Sequence, residues 1–460
     1  MSSDLLHRMD RSRFTGRHLT IYLALLVGHF LDGFVINMTG ALVPGMAKTY
    51  HLGTEQIGHF SSSLFAGMLI GAAVAGTAAD RLGRKFLLIA SIVVFAGFSF
   101  AAVFADSFTA LLWLRALQGL GLGAEIAVVL PYIAEFMPSR HRGPMVTMAS
   151  AAWILGLPVA AGIGALVVPG HGFHTMFALG AIAVLAAGLV LVACPESVRF
   201  LLRSGRVEQA RRVVDRIATP SASLHEELTD DEHEGGLGNV RFLLGRAYAR
   251  YTVSIWLMEL CAGAFLYGMS SWLPSILEKR GVAELRSLTY TAIITAAAVV
   301  GAVLAGQLIN RIGRRLVMSV SFLAAAVFCL IWGATTATAA VITLGFIVQF
   351  FGAGLGGATL FAYASELYPT AGRATGLGWA AAWQKAGGLV MPTLVGYVLA
   401  AHAGNYVFFV LFAVISVIAG ASAILATFET RDRSVEQITR DLRARVGHRT
   451  AVPGTEPIVN

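Results

Sequence analysis

The sequence predicts an all-α membrane protein with twelve transmembrane helices in two six-helix halves, and three observations carry that prediction. Of the 460 residues, 56% are hydrophobic and only 13% charged, with a mean hydropathy of +0.71; soluble chains of this length keep far more charge. Twelve apolar runs reach the roughly 20 residues that a helix needs to cross a bilayer core. The two halves of the chain also repeat one another in sequence.

In chain order the runs lie near 20–43, 57–79, 86–105, 109–131, 144–167 and 174–194, then 251–275, 288–309, 316–334, 338–364, 374–400 and 404–427. Residues 1–19 form a basic segment with Arg8, Arg11, Arg13 and Arg17, too long for a cleaved signal and without an A-x-A site, so no removable leader is expected. The longest break, 195–250, contains RVEQARRVVDRI (206–217), whose apolar residues at Val207, Ala210, Val213, Val214 and Ile217 have helical spacing. It is expected to lie as an amphipathic helix at the inner membrane surface, followed by a flexible acidic linker, SLHEELTDDEHEGG. The chain therefore divides into a cytoplasmic segment 1–19, a half 20–194, a cytoplasmic loop 195–250, a half 251–427 and a tail 428–460. Cys194, Cys261 and Cys329 lie in or at the ends of apolar runs, where a thiol behaves as a small hydrophobe, and imply no disulfide.

The net charge of +8 is sorted by side. Even-numbered connections and both termini hold Arg81, Arg84, Lys85, Arg140, Arg142, the arginines between 199 and 250, Arg311, Arg314, Arg315, Arg373 and the tail arginines, whereas odd-numbered connections hold only Lys48, Lys279, Arg280 and Arg286. The positive-inside rule puts both termini in the cytoplasm and the chain in the cytoplasmic membrane. The charge reports topology, and no nucleic-acid site is expected.

Three echoes define the repeat. DRLGRK (80–85) is answered by NRIGRR (310–315), AEFMPSRHRG (134–143) by SELYPTAGRA (365–374), and PES (195–197) by FET (428–430). A duplicated six-helix unit is an arrangement that alternating-access carriers use. These motifs resemble those of the major facilitator superfamily over nearly the whole chain. RALQGLGLG (115–123), PESVRFLLRSGR (195–206) and FETRDRSVEQI (428–438) resemble its sugar-porter branch. The seventh run, WLMELCAGAFLYGMSSWLP, lacks that branch's hydroxyl-binding glutamine and asparagine, and the tenth, GAGLGGATLFAYASELYP, lacks its Gly-Pro and Trp. GAEIAVVLPYIAEFMPSRHRG (123–143) and GWAAAWQKAGGLVMPTLVG (378–396) look closer to proton-coupled organic-acid and metabolite transporters.

Five ionisable residues fall inside the runs: Asp32, Arg115, Glu125, Glu259 and Lys385. A charge left in lipid costs at least ~2.5–3.5 kcal/mol, so each is expected to face a partner or a wet cavity. Depth along the helices lets Asp32 pair with Arg115, and the resemblance gives that pair a proton-coupling role; a static ion pair is the alternative. His29, one turn before Asp32, either modulates that site or is simply hydrogen-bonded in the bundle. Glu125 is either a second proton site or a partner for Arg142 or a backbone donor. Lys385 lies near the midplane, where related organic-anion transporters often have arginine, so the resemblance implies a carboxylate anchor, unless Glu259 closes it as an ion pair. Trp383 and Gln384 share its depth and, with Tyr267, join it as substrate-binding candidates.

Asp80, Arg81, Gly83, Arg84, Glu135 and Arg142, echoed by Arg311, Gly313, Arg314, Glu366 and Arg373, resemble the family's inner-face latch; Asn310 replaces the second aspartate, so the second copy is expected to be weaker. The resemblance thus implies a proton-coupled symporter of a small organic acid, with aromatic acids among the candidates, that works as a monomer without a cofactor, driven by the proton gradient. A sugar or polyol symporter and a drug/proton antiporter are the alternatives. No metal-ligand cluster, nucleotide loop or nucleophile beside a base suggests an enzyme, and no large soluble extension suggests a sensor.

Overall fold

The computed structural model describes residues 2–218, 240–401 and 404–431, together with 433, 437, 438, 440 and 442. The acidic linker proposed for 223–236 lies outside them. Among the described residues, eleven helices are long and apolar enough to cross a membrane, and the 31-residue helix Thr370–Ala400 occupies the place of the run at 374–400, completing the expected order. Several overrun their apolar stretch: the second span covers Thr54–Leu82, the fourth Phe108–Phe136 and the fifth Ser139–His171. Backbone inside lipid must be bonded within its own helix, and nothing requires the helix to stop at the lipid edge.

Three spans are interrupted. The first is a helix Gly16–Asn37 followed, after Met38, by Thr39–Tyr50. The sixth breaks between His174–Ala181 and Val184–Ala193. The tenth runs Thr338–Gln349, widens into a π-helix over Phe350–Gly356 and resumes as Gly357–Leu367. The glycines of that π segment are packing residues: a Cβ at Gly352 would strike the Phe265 ring, and one at Gly354 the Ala298 carbonyl.

One large apolar cluster is centred on the first half and takes in Tyr267 and Leu288 of the second, while the clusters of the second half take in Val43 and Ile57 of the first. The halves touch through the first and seventh, second and eleventh, and fifth and eighth spans. Their closest approaches lie at the end remote from the basic loops. Gly40 sits against the Ser270 carbonyl and Gly58 against that of Pro392; Thr393 donates to Ser62 (2.7 Å), Tyr397 lies 3.2 Å from His59, and Lys48 pairs with Glu284 at 2.5 Å.

The amphipathic helix forms over Val207–Ile217, with Ala210, Val214 and Ile217 buried. Those side chains pack on protein rather than on the bilayer. A helix that the sequence reading missed, Ser2–Asp10, covers them with Leu5 and Met9 and is tied down by Arg8–Asp215 (2.7 Å) and Asp10–Arg142. Nine polar-rich residues are too short for a span, and their apolar face consists of little more than Leu5, Leu6 and Met9, which left no periodic signal to read.

Candidate functional site

Glycines bring the site together. A Cβ at Gly33 would run into the Trp153 carbonyl, and Gly156 closes on Gly33 and Phe34 from the other side, so the first and fifth spans touch backbone to backbone. Trp153 then points its indole N–H at Asp32 Oδ2, 2.7 Å away. Gly263 lies against the Gln384 carbonyl and Gly387 against that of Leu260, which locks the seventh span to the eleventh and sets Gln384 and Lys385 beside Glu259.

Lys385 is 6% exposed. Its Nζ donates to Tyr267 Oη (2.7 Å) and Gln384 Oε1 (3.1 Å). It lies 5.2 Å from the centre of the Tyr267 ring and 5.7 Å from that of Trp153, within reach of cation–π attraction. Phe65 packs on Tyr267 with ring centres 4.4 Å apart. Trp153 and Phe65 come from the first half and Tyr267, Gln384, Lys385 and Glu259 from the second, so the site straddles the boundary between the halves. Lys385 is neither bare nor paired with Glu259: the Gln384 amide stands between them, its Nε2 donating to Glu259 Oε2 at 3.3 Å.

The expected Asp32–Arg115 ion pair is absent among the described residues. Arg115, 1% exposed, instead bonds Gln118 (2.5 Å), the carbonyls of Val35 (3.2 Å) and Ile36 (3.4 Å), and Thr39. All of these first-span partners lie beyond Asp32, so both terminal nitrogens of the guanidinium are bonded at their own depth, clasping the break at Met38, while its Nε is buried without a partner. Glu125 does not reach Arg142, which is engaged by Asp10. It lies beside His29, Oε2 to Nδ1 3.6 Å, and one ligating atom each from His29, Asp32 and Glu125 fall within 4.8 Å of one another. Asp32 Oδ1, His29 Nδ1 and both Glu125 oxygens are buried without a hydrogen-bond partner. An imidazole and two carboxylates so placed can hold and exchange protons, and have the donor set for a metal ion. Trp383 shares the depth of Lys385 but not its face: two residues along a helix is a rotation of about 200°, and Trp383 stacks on Trp256 instead (5.8 Å).

A family model described as "Sugar (and other) transporter" matches residues 21–442. The chain belongs to the sugar (and other) transporter family. The niacin transporter NiaP of Acinetobacter baylyi is 28% identical over 95% of this chain and 99% of its own length. The 4-hydroxybenzoate transporter PcaK of Pseudomonas putida is 30% identical over 76% of this chain and 79% of its own. In fold, an inward-open structure of the xylose transporter XylE from E. coli matches with a TM-score of 0.70 at 19% identity, covering 92% of this chain and 99% of that one. The protein is thus a multi-pass transporter of that family, with a small-molecule substrate.

In this transporter the repeated motifs form two matching knots at the basic end. Arg84 pairs with Glu135 (2.6 Å) and Arg314 with Glu366 (2.8 Å). Gly83 and Gly313 have φ of 97° and 91°, turning the chain so that the next two amides point at one carboxylate: Glu196 Oε1 accepts from Arg84 N (3.0 Å) and Lys85 N (3.1 Å), and Glu429 from Arg314 N (3.0 Å) and Arg315 N (3.1 Å). Negative charge is favoured at a helix N-terminus, which is the physical content of the PES and FET motifs. Their hydroxyls complete the knots, Ser197 donating to Glu135 (2.5 Å) and Thr430 to Glu366 (2.6 Å). The second knot is not looser in geometry: Arg314 Nε also reaches both Glu366 oxygens (3.0 and 3.3 Å), and Asn310 accepts from its Nη2 (3.4 Å). Arg142 and Arg373 lie outside the knots and reach the carbonyls of Met137 (3.3 Å) and Tyr368 (3.4 Å), where the fourth and tenth spans end. Asp80 meets exposed Arg203 (2.9 Å), while Arg81 and Arg311 are exposed.

Proposed function

We propose that this transporter is a proton-coupled symporter for a small aromatic carboxylate. The observation that carries the reading is Lys385: a buried ammonium between the Trp153 ring and the Tyr267 hydroxyl, at the boundary of the halves, one indole away from Asp32. A carboxylate would take the ammonium while its ring takes the aromatic walls. The names of the two relatives, for niacin and 4-hydroxybenzoate, support the same class.

Asp32 is the coupling carboxylate, with Glu125 and His29 as its proton reservoir, and Trp153 joins that cluster to the substrate cation. Arg115 acts as a clasp on the first span, and the two knots hold each half rigid as it rocks. Both termini and the basic loops face the cytoplasm of the cytoplasmic membrane, so the closed end described above faces outward. The working unit is one chain, and the proton gradient is its sole energy source.

The test is uptake of radiolabelled benzoate and nicotinate into proteoliposomes under an imposed pH gradient. Asp32→Asn is expected to abolish accumulation while sparing exchange, and Lys385→Ala to raise the half-saturating concentration about tenfold or more, the loss of one charge-assisted contact. Undiminished accumulation by the first variant removes Asp32 from coupling. Unchanged affinity in the second removes the anchor.

A further inference from the structure

The amide of Gln384 occupies the site in an informative way. At one end its carbonyl oxygen accepts from Lys385 (3.1 Å), and at the other its NH2 donates to Glu259 (3.3 Å). One flat group, acceptor first and donor last, thus fills the space between a buried cation and a buried anion. Glu259 is 4% exposed, and its second oxygen accepts no hydrogen bond among the described residues. Nothing in carboxylate binding to Lys385 uses this anion. A substrate offering only a carboxylate would displace Gln384 from the lysine and leave Glu259 facing an apolar ring edge.

We propose that Glu259 is a specificity residue that receives a hydrogen-bond donor from the substrate, so that the site selects aromatic acids bearing an amino or hydroxyl group at the end away from the carboxylate. This deepens the reading of Lys385 as the carboxylate anchor and rests on it. Such a molecule reproduces the order presented by Gln384: acceptor, planar spacer, donor. Its ring lies among Trp153, Tyr267 and Phe65, and the displaced glutamine side chain swings aside on its own rotamers. A site built to accept a donor rejects the analogue that lacks one, because the buried acceptor is then left unpaired.

The experiment is isothermal titration of the purified full-length protein in detergent with benzoate, 4-hydroxybenzoate and 4-aminobenzoate. Wild-type protein is expected to bind both substituted acids about tenfold or more tighter than benzoate, and Glu259→Gln to shrink that preference below about threefold, since a neutral acceptor is weaker than a charged one. Equal affinities in the wild type, or a preference that survives in Glu259→Gln, overturn the proposal while leaving Lys385 as an anchor. If Glu259→Gln does not fold, the wild-type comparison decides alone. Should none of the three acids bind, or should Lys385→Ala bind them undiminished, the anchor reading itself fails.

Discussion

Trp153→Phe tests the link between the proton cluster and the Lys385 ammonium with little else disturbed. Phenylalanine keeps a ring near Lys385 and beside Tyr267 but has no N–H for Asp32, whose other oxygen already lacks a partner. A hydrogen bond to a charged group contributes about 1.5–3 kcal/mol, so its loss should slow a step that uses the Asp32 carboxylate by roughly 10- to 150-fold, at one decade per 1.4 kcal/mol. In a symporter that loss falls on the step that releases the proton. Gradient-driven accumulation in proteoliposomes should drop by that factor, while substrate exchange, which needs no proton release, should stay close to wild type. The reasoning is refuted if accumulation is unchanged, or if exchange falls as far as accumulation does.

Gly83→Ala and Gly313→Ala should each destabilise the protein by about 1–3 kcal/mol, the strain of a side chain at these backbone angles, and by similar amounts because the knots match; displacing Glu196 or Glu429 adds to it. The three buried free cysteines make the readout simple, since a thiol-reactive fluorophore reports their exposure on heating. Ser62→Cys with Thr393→Cys should form a disulfide on oxidation, because the native hydroxyls are 2.7 Å apart. The oxidised protein should lose transport and dithiothreitol should restore it; full activity with the disulfide formed would mean that this end does not open.

The spans were legible because long apolar runs admit little else, and the repeat was legible because the same turn chemistry had to be preserved twice. The breaks were not. Met38 has no sequence mark, and the π segment reads as ordinary glycine-rich packing. Among the site residues, the cost of charge in lipid marked Asp32, Arg115, Glu125, Glu259 and Lys385 without any structure. Their partners escaped because position along a helix fixes depth alone, while pairing also needs the rotation of each helix and the spacing between them. Those are set by Gly33, Gly156, Gly263 and Gly387, whose contacts are long-range. Gln118 was within reach, three residues from Arg115 on one helical face. Trp153 stood out as aromatic, but nothing in the chain ties it to Asp32.

The bridge made by Gln384 bears on the half of the cycle in which nothing is carried. In the proposed symport cycle the vacant site must return across the membrane before it can load again, and a buried ammonium with no acceptor beyond the Tyr267 hydroxyl would make that return slow: leaving a buried charge without its partner costs about 3–5 kcal/mol, a delay of a hundredfold or more. With its own amide standing in for cargo, the vacant carrier gives Lys385 an acceptor and one oxygen of Glu259 a donor. In that cycle the speed of the empty stroke would be tied to one glutamine rather than to the substrate.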